Sequence, residues 1–541
     1  MVRISVLIIL MLLVDLGYGA TNRYLIYFIN KTNNSYSLDH PRSFMSEKAL
    51  ERREVQGLAL DSTDLPVSEY YLNALQSREF KVFFSSKWLN AALIECDSER
   101  LDELNNFKFV SKVTFMAPGH RLSQTPEKLE YTYTNETPLV VSKSADFQLE
   151  SIGVDIMQSE GFTGSGVTVA VLDAGFKGTN RSLLFEHLFE NDRILDSYDF
   201  VRNERNPFAH DDHGTNVLSC LVAKHKYLTG SAVDVSVALY VTEDPASEYR
   251  IEELNWLLAA ERADSLGIDI ISSSLGYNTF DDSSMDHLYT ETTGDKTIIS
   301  NAAQYASDKG ILVINSAGNE GNNNEWPYVI FPSDVQDVLV VGAVDSELKY
   351  ASFSSRGPTA DERIKPDVVA LGRYVTLYLE NNKIDRRSGT SYSTPLIVGL
   401  AAGLWQKYPS LTNMELKQLI VTSGSSYIKP NTKTGYGVPS YSRIGMNTAL
   451  SVDKVMTDDM IVYPNPFNSN YINVKIEREY AQEDIQFIVY GPSGNMVNKH
   501  ELSQTKRTSE FRMEIGGMEK GVYLLIVKTA SASKKVKLLR Y

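Results

Sequence analysis

The stretch Ser388-Gly389-Thr390-Ser391-Tyr392-Ser393-Thr394-Pro395 opens directly onto Leu396-Ile397-Val398-Gly399-Leu400-Ala401-Ala402-Gly403-Leu404-Trp405. The second part is apolar on every side, so it reads as a helix buried all round, with glycines and alanines that let neighbouring elements approach closely. Proline fits only the first turn of a helix, where its missing N–H costs nothing, so Pro395 sets the helix start between Thr390 and Ser393. Ser391 then stands at the N-terminal mouth of a buried helix. Unpaired backbone N–H groups and the positive end of the helix dipole suit that place to a developing oxyanion. A lone serine there is equally an ordinary N-cap.

A nucleophile needs a base, and the base needs an orienter. The chain has eight histidines, and His213 stands in Asp211-Asp212-His213-Gly214-Thr215-Asn216, a polar lead-in to an apolar helical pattern. Upstream, Val167-Thr168-Val169-Ala170-Val171-Leu172 is a β-branched run that ends in Asp173-Ala174-Gly175. A carboxylate is thereby placed at the C-terminal tip of a buried strand, where α/β sheets keep their sites. Taken singly, a loop histidine and a turn aspartate are the plainer readings. Together, the order Asp…His…Ser in these contexts is one that a catalytic triad takes.

With Ser273-Ser274-Leu275-Gly276 and Ser316-Ala317-Gly318-Asn319-Glu320-Gly321, these motifs resemble the subtilisin-like serine proteases, the subtilases. The resemblance covers roughly residues 145–450. It implies a parallel sheet flanked by helices, a triad of Asp173, His213 and Ser391, and an oxyanion donor in the side-chain amide of Asn319. It also implies that Ser274, Leu275 and Gly276, with Ala317 and Gly318, wall the pocket for the residue before the scissile bond. Ile330 would lie near the base of that pocket and shorten it against large aromatics. Two positions depart from the family pattern: Ala174 stands where Ser or Thr is usual, and Tyr392 where Met is common.

The backbone of residues 274–276 is free to pair with an extended peptide, a general way to hold one. The acidic loop Glu243-Asp244-Pro245-Ala246-Ser247-Glu248 reads either as the opposite side of the cleft, favouring basic substrates upstream, or as a solvated turn.

At 541 residues the chain is long enough for two to four domains. A hydrophobic content of 43 % supplies packed cores, and a net charge of -15 with no Lys/Arg-rich tract argues against nucleic acid as a partner. Residues 1–20 carry Arg3, an apolar core and then Gly17-Tyr18-Gly19-Ala20, the pattern of a secretory signal peptide; the core is too short for a membrane span.

Residues 21–120 mix strand-like runs (24–29, 81–84, 91–96, 109–115) with helical ones (46–53, 68–75) and read as a small α+β domain. Its place ahead of the catalytic segment resembles a subtilase propeptide; a permanent binding domain is the other reading. The polar residues 121–143 read as a processed linker. Cys96 and Cys220 then fall on separate polypeptides and form no disulfide framework.

Residues 144–452 form the catalytic segment. Within it, strands at 235–241, 268–271, 311–316 and 338–344 alternate with helices at 251–266 and 297–307, the pattern of a parallel sheet covered on both faces. There is no HExxH and no Cys/His cluster of ligand spacing, so the sequence assigns no metal site, and no required cofactor is expected. The resemblance leaves structural calcium open, with Asp211-Asp212 and Asn322-Asn323-Asn324-Glu325 as candidate oxygen donors or ordinary solvated loops.

Residues 453–541 change texture again, with alternating strands at 471–476 and 485–490 and further strands at 521–528 and 535–539. This small β-sandwich resembles the C-terminal sorting domain of type IX secretion through Tyr463-Pro464-Asn465-Pro466, Tyr490-Gly491-Pro492-Ser493-Gly494 and Gly521-Val522-Tyr523. That implies the outer-membrane secretion machinery as a partner and the surface or medium of a bacterium with an outer membrane as destination. A stabilising or carbohydrate-binding module is the other reading. Two functions follow: a secreted serine endopeptidase, or a non-catalytic protein of the same fold that binds peptides or partners. The intact set Asp173, His213, Asn319 and Ser391 favours the first.

Overall fold

Seven segments rich in β-branched residues align as one parallel sheet: β5 (Thr168–Asp173), β6 (Ile194–Asp199), β7 (Ser236–Val241), β8 (Ile270–Ser273), β9 (Leu312–Ser316), β10 (Leu339–Val344) and β11 (Val368–Leu371). Their order across the sheet is β11-β10-β9-β8-β5-β7-β6, and every neighbouring pair is parallel. The computed structural model describes residues 21–119, 140–141, 146–379 and 383–444. In the C-terminal region it describes 454–455, 461–465, 467, 469–476, 484–491, 496–502, 510–529 and 532–540. The signal-peptide reading of residues 1–20, and the linker reading apart from Val140–Val141, lie outside them.

Apart from the edge strand β6, the strands are buried on both faces, as their near-continuous apolar runs require. One face carries α3 (His213–Val222), α6 (Thr390–Lys407) and α7 (Asn413–Thr422); the other carries α4 (Ile251–Leu266) and α5 (Ile298–Asp308). In α6 the side chains of Leu396, Ile397, Leu400 and Leu404 are wholly buried, each worth about 1.5–3 kcal/mol relative to exposure.

The element bounds differ from the sequence reading by a residue or two, and Pro395 sits deeper in its helix than expected. The strand expected at 268–271 begins at Ile270, because the Ile268 N–H still caps α4 by donating to Ala263 O at 3.0 Å. Helix α6 begins at Thr390, within the expected range, but Pro395 is then its sixth residue rather than a first-turn one. The carbonyl that Pro395 leaves without an N–H partner is that of Ser391, and the Ser274 hydroxyl donates to it at 2.9 Å.

β6, which the sequence reading did not single out, is an edge strand. Its polar Asp196 accepts from the Tyr240 hydroxyl at 2.8 Å and from Arg262 Nε at 2.5 Å, so a run broken by polar residues is still held in the sheet.

The N-terminal region is a four-stranded antiparallel sheet of order β2-β3-β1-β4, with β1 Thr21–Phe28, β2 Lys81–Ser86, β3 Ala91–Asp97 and β4 Val110–Pro118; its longer helices are α1 (Glu47–Val55) and α2 (Glu69–Gln76). It packs on α4 and α5, and Leu25, Trp88, Leu93, Met116 and Ala117 join the same apolar cluster as Leu254, Leu257 and Ile299. Asp264 of α4 lies at the centre of this contact, wholly buried between Arg52 Nη2 (2.6 Å), Arg53 Nη2 (2.6 Å) and Lys87 Nζ (2.8 Å). Beside it Glu261 accepts from Ser86 Oγ and from the N–H groups of Lys87 and Trp88. Cys96 and Cys220 are both free and buried.

The chain divides into two compact units, Met1–Ile444 and Gly445–Tyr541. In the second, a five-stranded sheet and a three-stranded sheet, mostly antiparallel, share one core built from Ile472, Val474 and Phe511 on one side and Phe487, Val489, Leu525 and Leu538 on the other. Residues Tyr471–Lys475 and Ile485–Tyr490 alternate buried and outward positions as the sequence pattern requires.

Candidate active site

The site gathers at the C-terminal ends of β5, β8 and β9 and at the N-terminus of α6. Asp173 is the last residue of β5 and is wholly buried. Its Oδ1 lies 2.7 Å from His213 Nδ1 and accepts the Ala174 N–H at 2.8 Å; Oδ2 is buried with no partner among the described residues. His213 begins α3, and its own N–H donates to Asp211 Oδ1 at 2.7 Å, which fixes the ring at the helix mouth.

Two glycines permit this approach. A Cβ on Gly214 would stand 2.5 Å from Gly175 O and 2.9 Å from Asp173 Cβ, and one on Gly175 would stand 2.6 Å from Asp211 O. The two segments that carry the acid and the base meet only because both positions lack a side chain.

Burial of the His213 ring pulls its pKa down, but the charge and hydrogen bond of Asp173, with Glu243 and Asp211 adding, push it up to about 9. Nδ1 faces the carboxylate, so the other ring nitrogen is the one available for proton transfer.

Ser391 is the second residue of α6, 7 % exposed, and its backbone N–H has no partner among the described residues. Its hydroxyl donates to Ser274 O at 3.4 Å rather than to His213. Catalytic hydrogen bonds are often long before substrate binds. The neighbouring Tyr392 ring packs against His213, with centroids 5.9 Å apart, so the departure at this position supports the imidazole from the serine side.

Asn319 is exposed, and its amide orientation is set by Thr390, whose N–H donates to Oδ1 at 3.0 Å. That leaves Nδ2 without a partner among the described residues, beside the mouth of α6 that carries the Ser391 N–H. Both donors thus lie at the mouth of α6 without a partner among the described residues.

Ser274-Leu275-Gly276 follows β8, and Ala317-Gly318 follows β9. The structure joins the two segments through Asn315, which the sequence reading missed. Its Nδ2 donates to Leu275 O (3.1 Å), Ser316 O (2.9 Å) and Ser333 Oγ (2.9 Å), partners too scattered along the chain for a sequence pattern to show. Ile330 lies between the segments: a Cβ on Gly276 would stand 2.6 Å from its Cγ1, and one on Gly318 would stand 2.9 Å from its Cδ1. Gly318 also has φ +101°, which a side chain would strain.

Some of the candidate calcium donors already accept hydrogen bonds. Asp211 Oδ1 is committed to the His213 N–H, and Asn323 Oδ1 to the N–H groups of Glu325 and Trp326. Asp199, Glu204 and His210 bring ligand atoms within 4.8 Å of one another, but Arg202 takes both Asp199 oxygens, at 2.9 and 3.1 Å.

Comparison with known proteins extends this picture. A model of the subtilase family matches residues 164–437, one of the Bacteroidota peptidase S8 propeptide domain matches 23–131, and one of a secretion system C-terminal sorting domain matches 461–539. Subtilisin E of Bacillus subtilis (strain 168) is 28 % identical over 360 residues, which cover 66 % of this chain and 81 % of the relative. Subtilisin of Bacillus pumilus is 29 % identical over 299 residues, 55 % of this chain and 97 % of the relative.

Proposed function

The chain belongs to the subtilase family and is a serine endopeptidase, and from that premise we propose that Asp173, His213 and Ser391 are its catalytic triad. The observation that carries this is the 2.7 Å contact between a wholly buried Asp173 carboxylate and His213 Nδ1, beside a serine at a helix mouth. His213 takes the proton of the Ser391 hydroxyl as that oxygen attacks a peptide carbonyl, forming an acyl-enzyme once the proton passes to the departing amine. Asp173 holds the ring in the required tautomer and stabilises the imidazolium. Asn319 Nδ2 and the Ser391 N–H bind the oxyanion.

Residues 274–276 and 317–318 hold the substrate as an added strand, and Ile330 between them leaves a short pocket that disfavours large aromatic side chains. No cofactor enters the chemistry. Residues 21–120 act as a propeptide removed by cleavage within 121–143. The sorting domain directs the enzyme through type IX secretion to the cell surface or medium.

Replacing Asn319 with Ala tests the oxyanion role: turnover of a peptide substrate should fall about 10²–10³-fold with KM little changed. A loss below about tenfold would remove Asn319 from the mechanism.

A further inference from the structure

Ile330, which fills the gap between Gly276 and Gly318, belongs to a segment held from three sides. From the β9 side, the Ile330 N–H donates to Ala317 O at 3.3 Å and the Ser333 hydroxyl donates to Ser316 O at 2.8 Å. From the β8 side, Phe331 and Tyr277 exchange two backbone hydrogen bonds: the Phe331 N–H donates to Tyr277 O at 3.1 Å, and the Tyr277 N–H to Phe331 O at 3.0 Å. Tyr277 directly follows Gly276, and a Cβ on Gly276 would stand 2.9 Å from Phe331 O. On the third side is His287, whose ring packs against the wholly buried Phe331 with centroids 4.7 Å apart.

His287 is buried, and its position is fixed at both backbone and ring. Its N–H donates to Asn278 O at 2.9 Å, which closes the base of the loop 278–287. Its ring Nε2–H donates to Glu253 Oε1 at 2.5 Å, and Nδ1 lies 3.6 Å from Glu291 Oε2. Phe280 meets the ring edge-on at 5.3 Å and itself lies parallel to the Tyr277 ring. Glu253 stands in the first turn of α4, and Arg250, just ahead of that helix, donates through Nε to Met285 O at 2.8 Å, so the loop is fastened to α4 through both residues. Apolar residues of the same volume often fill such a place at least as stably as a buried ion pair. What a hydrogen-bonded ring adds is a fixed orientation.

We propose that His287, anchored by Glu253, is a positioning residue for substrate selection. It braces Phe331 from behind, keeps the adjoining Ile330 between the two walls, and so sets the depth of the pocket. It acts through Phe331 and takes no part in the proton transfers. The inference rests on the reading of residues 274–276, 317–318 and Ile330 as the pocket for the residue before the scissile bond.

The test uses the processed enzyme and two quenched peptides that differ only in having leucine or phenylalanine before the cut. The wild type should favour the leucine peptide in kcat/KM by at least about tenfold. In His287→Ala the space behind Phe331 opens, and the preference should fall to about threefold or less. The change should come from a lower KM for the phenylalanine peptide, with kcat for the leucine peptide little altered. Glu253→Leu, which removes the anchor, should narrow the preference in the same direction, and Glu253→Gln, which keeps an oxygen for Nε2, should restore it. Should His287→Ala fail to fold, His287→Gln, which keeps a donor for Glu253 but loses the ring, should narrow the preference in its place. An unchanged preference in these His287 variants, even with kcat lowered equally for both peptides, would make the residue merely structural and overturn the inference. A wild type without the leucine preference would overturn the Ile330 pocket itself, and the inference with it.

Discussion

At His213 two opposed effects set the pH behaviour: burial favours the neutral ring, and the Asp173 carboxylate 2.7 Å away favours the imidazolium. The carboxylate prevails and the pKa rises to about 9. A raised pKa stabilises the fold fully below the ordinary value of about 6.5, and this contribution is lost as pH climbs through about 9. Activity needs the neutral base, so kcat/KM should rise over the same window, with its midpoint above about 6.5. In Asp173→Asn, burial is opposed only by Glu243 and Asp211, and the His213 titration followed by NMR should fall well below about 9. A wild-type midpoint at or below about 6.5 would contradict this electrostatic account. Asp173, His213 and Ser391 were legible because each stands in a distinct local setting: a strand tip, a helix start and a buried-helix mouth. The supports were not. Tyr392 read as a departure until its ring was seen against His213, and Asn315 has no local pattern, since its three partners come together only in the folded sheet.

Helix α4 shows what a sequence pattern leaves open at the scale of an element. Its apolar spacing at Ile251, Leu254, Leu257 and Leu258 identifies the helix, and the same pattern suggests that the remaining face, with Glu252, Glu253, Glu261 and Asp264, meets water. All four are buried: the N-terminal domain covers Asp264 with Arg52, Arg53 and Lys87 and Glu261 with Ser86, Lys87 and Trp88, while Glu253 meets His287 and Glu252 accepts the Asp244 N–H. Periodicity cannot distinguish a carboxylate facing solvent from one facing a docked domain. Burial alone would raise the Asp264 pKa, but the three cations bring it down to about 2. Its contribution is therefore present above the ordinary carboxylate value of about 3.9 and is lost only as pH falls through about 2. Asp264→Asn, made in the Ser391→Ala chain so that the N-terminal domain stays attached, strands buried cations. It should destabilise the proform by about 3–5 kcal/mol, read by denaturant unfolding. An unchanged unfolding midpoint would show that the apolar contact alone holds the two together.

Across the whole molecule, changes of texture made three folded regions legible: a mixed α+β segment, a strand–helix alternation and a run of alternating strands. That the first shares an apolar cluster with the second was not legible, because Leu25, Leu93 and Met116 look like the private core of a small domain until their partners on α4 and α5 are known. The central claim is that Ser391 is a nucleophile activated by His213 and Asp173, and the most direct measurement is labelling with a fluorophosphonate probe, with the modified peptide and the chain length read by mass spectrometry. The account predicts one adduct on Ser391 of the processed wild-type chain, none on Ser391→Ala, and strongly reduced labelling of Asp173→Asn. A folded, processed wild-type chain that takes up no probe, or takes it up at another residue, would contradict it.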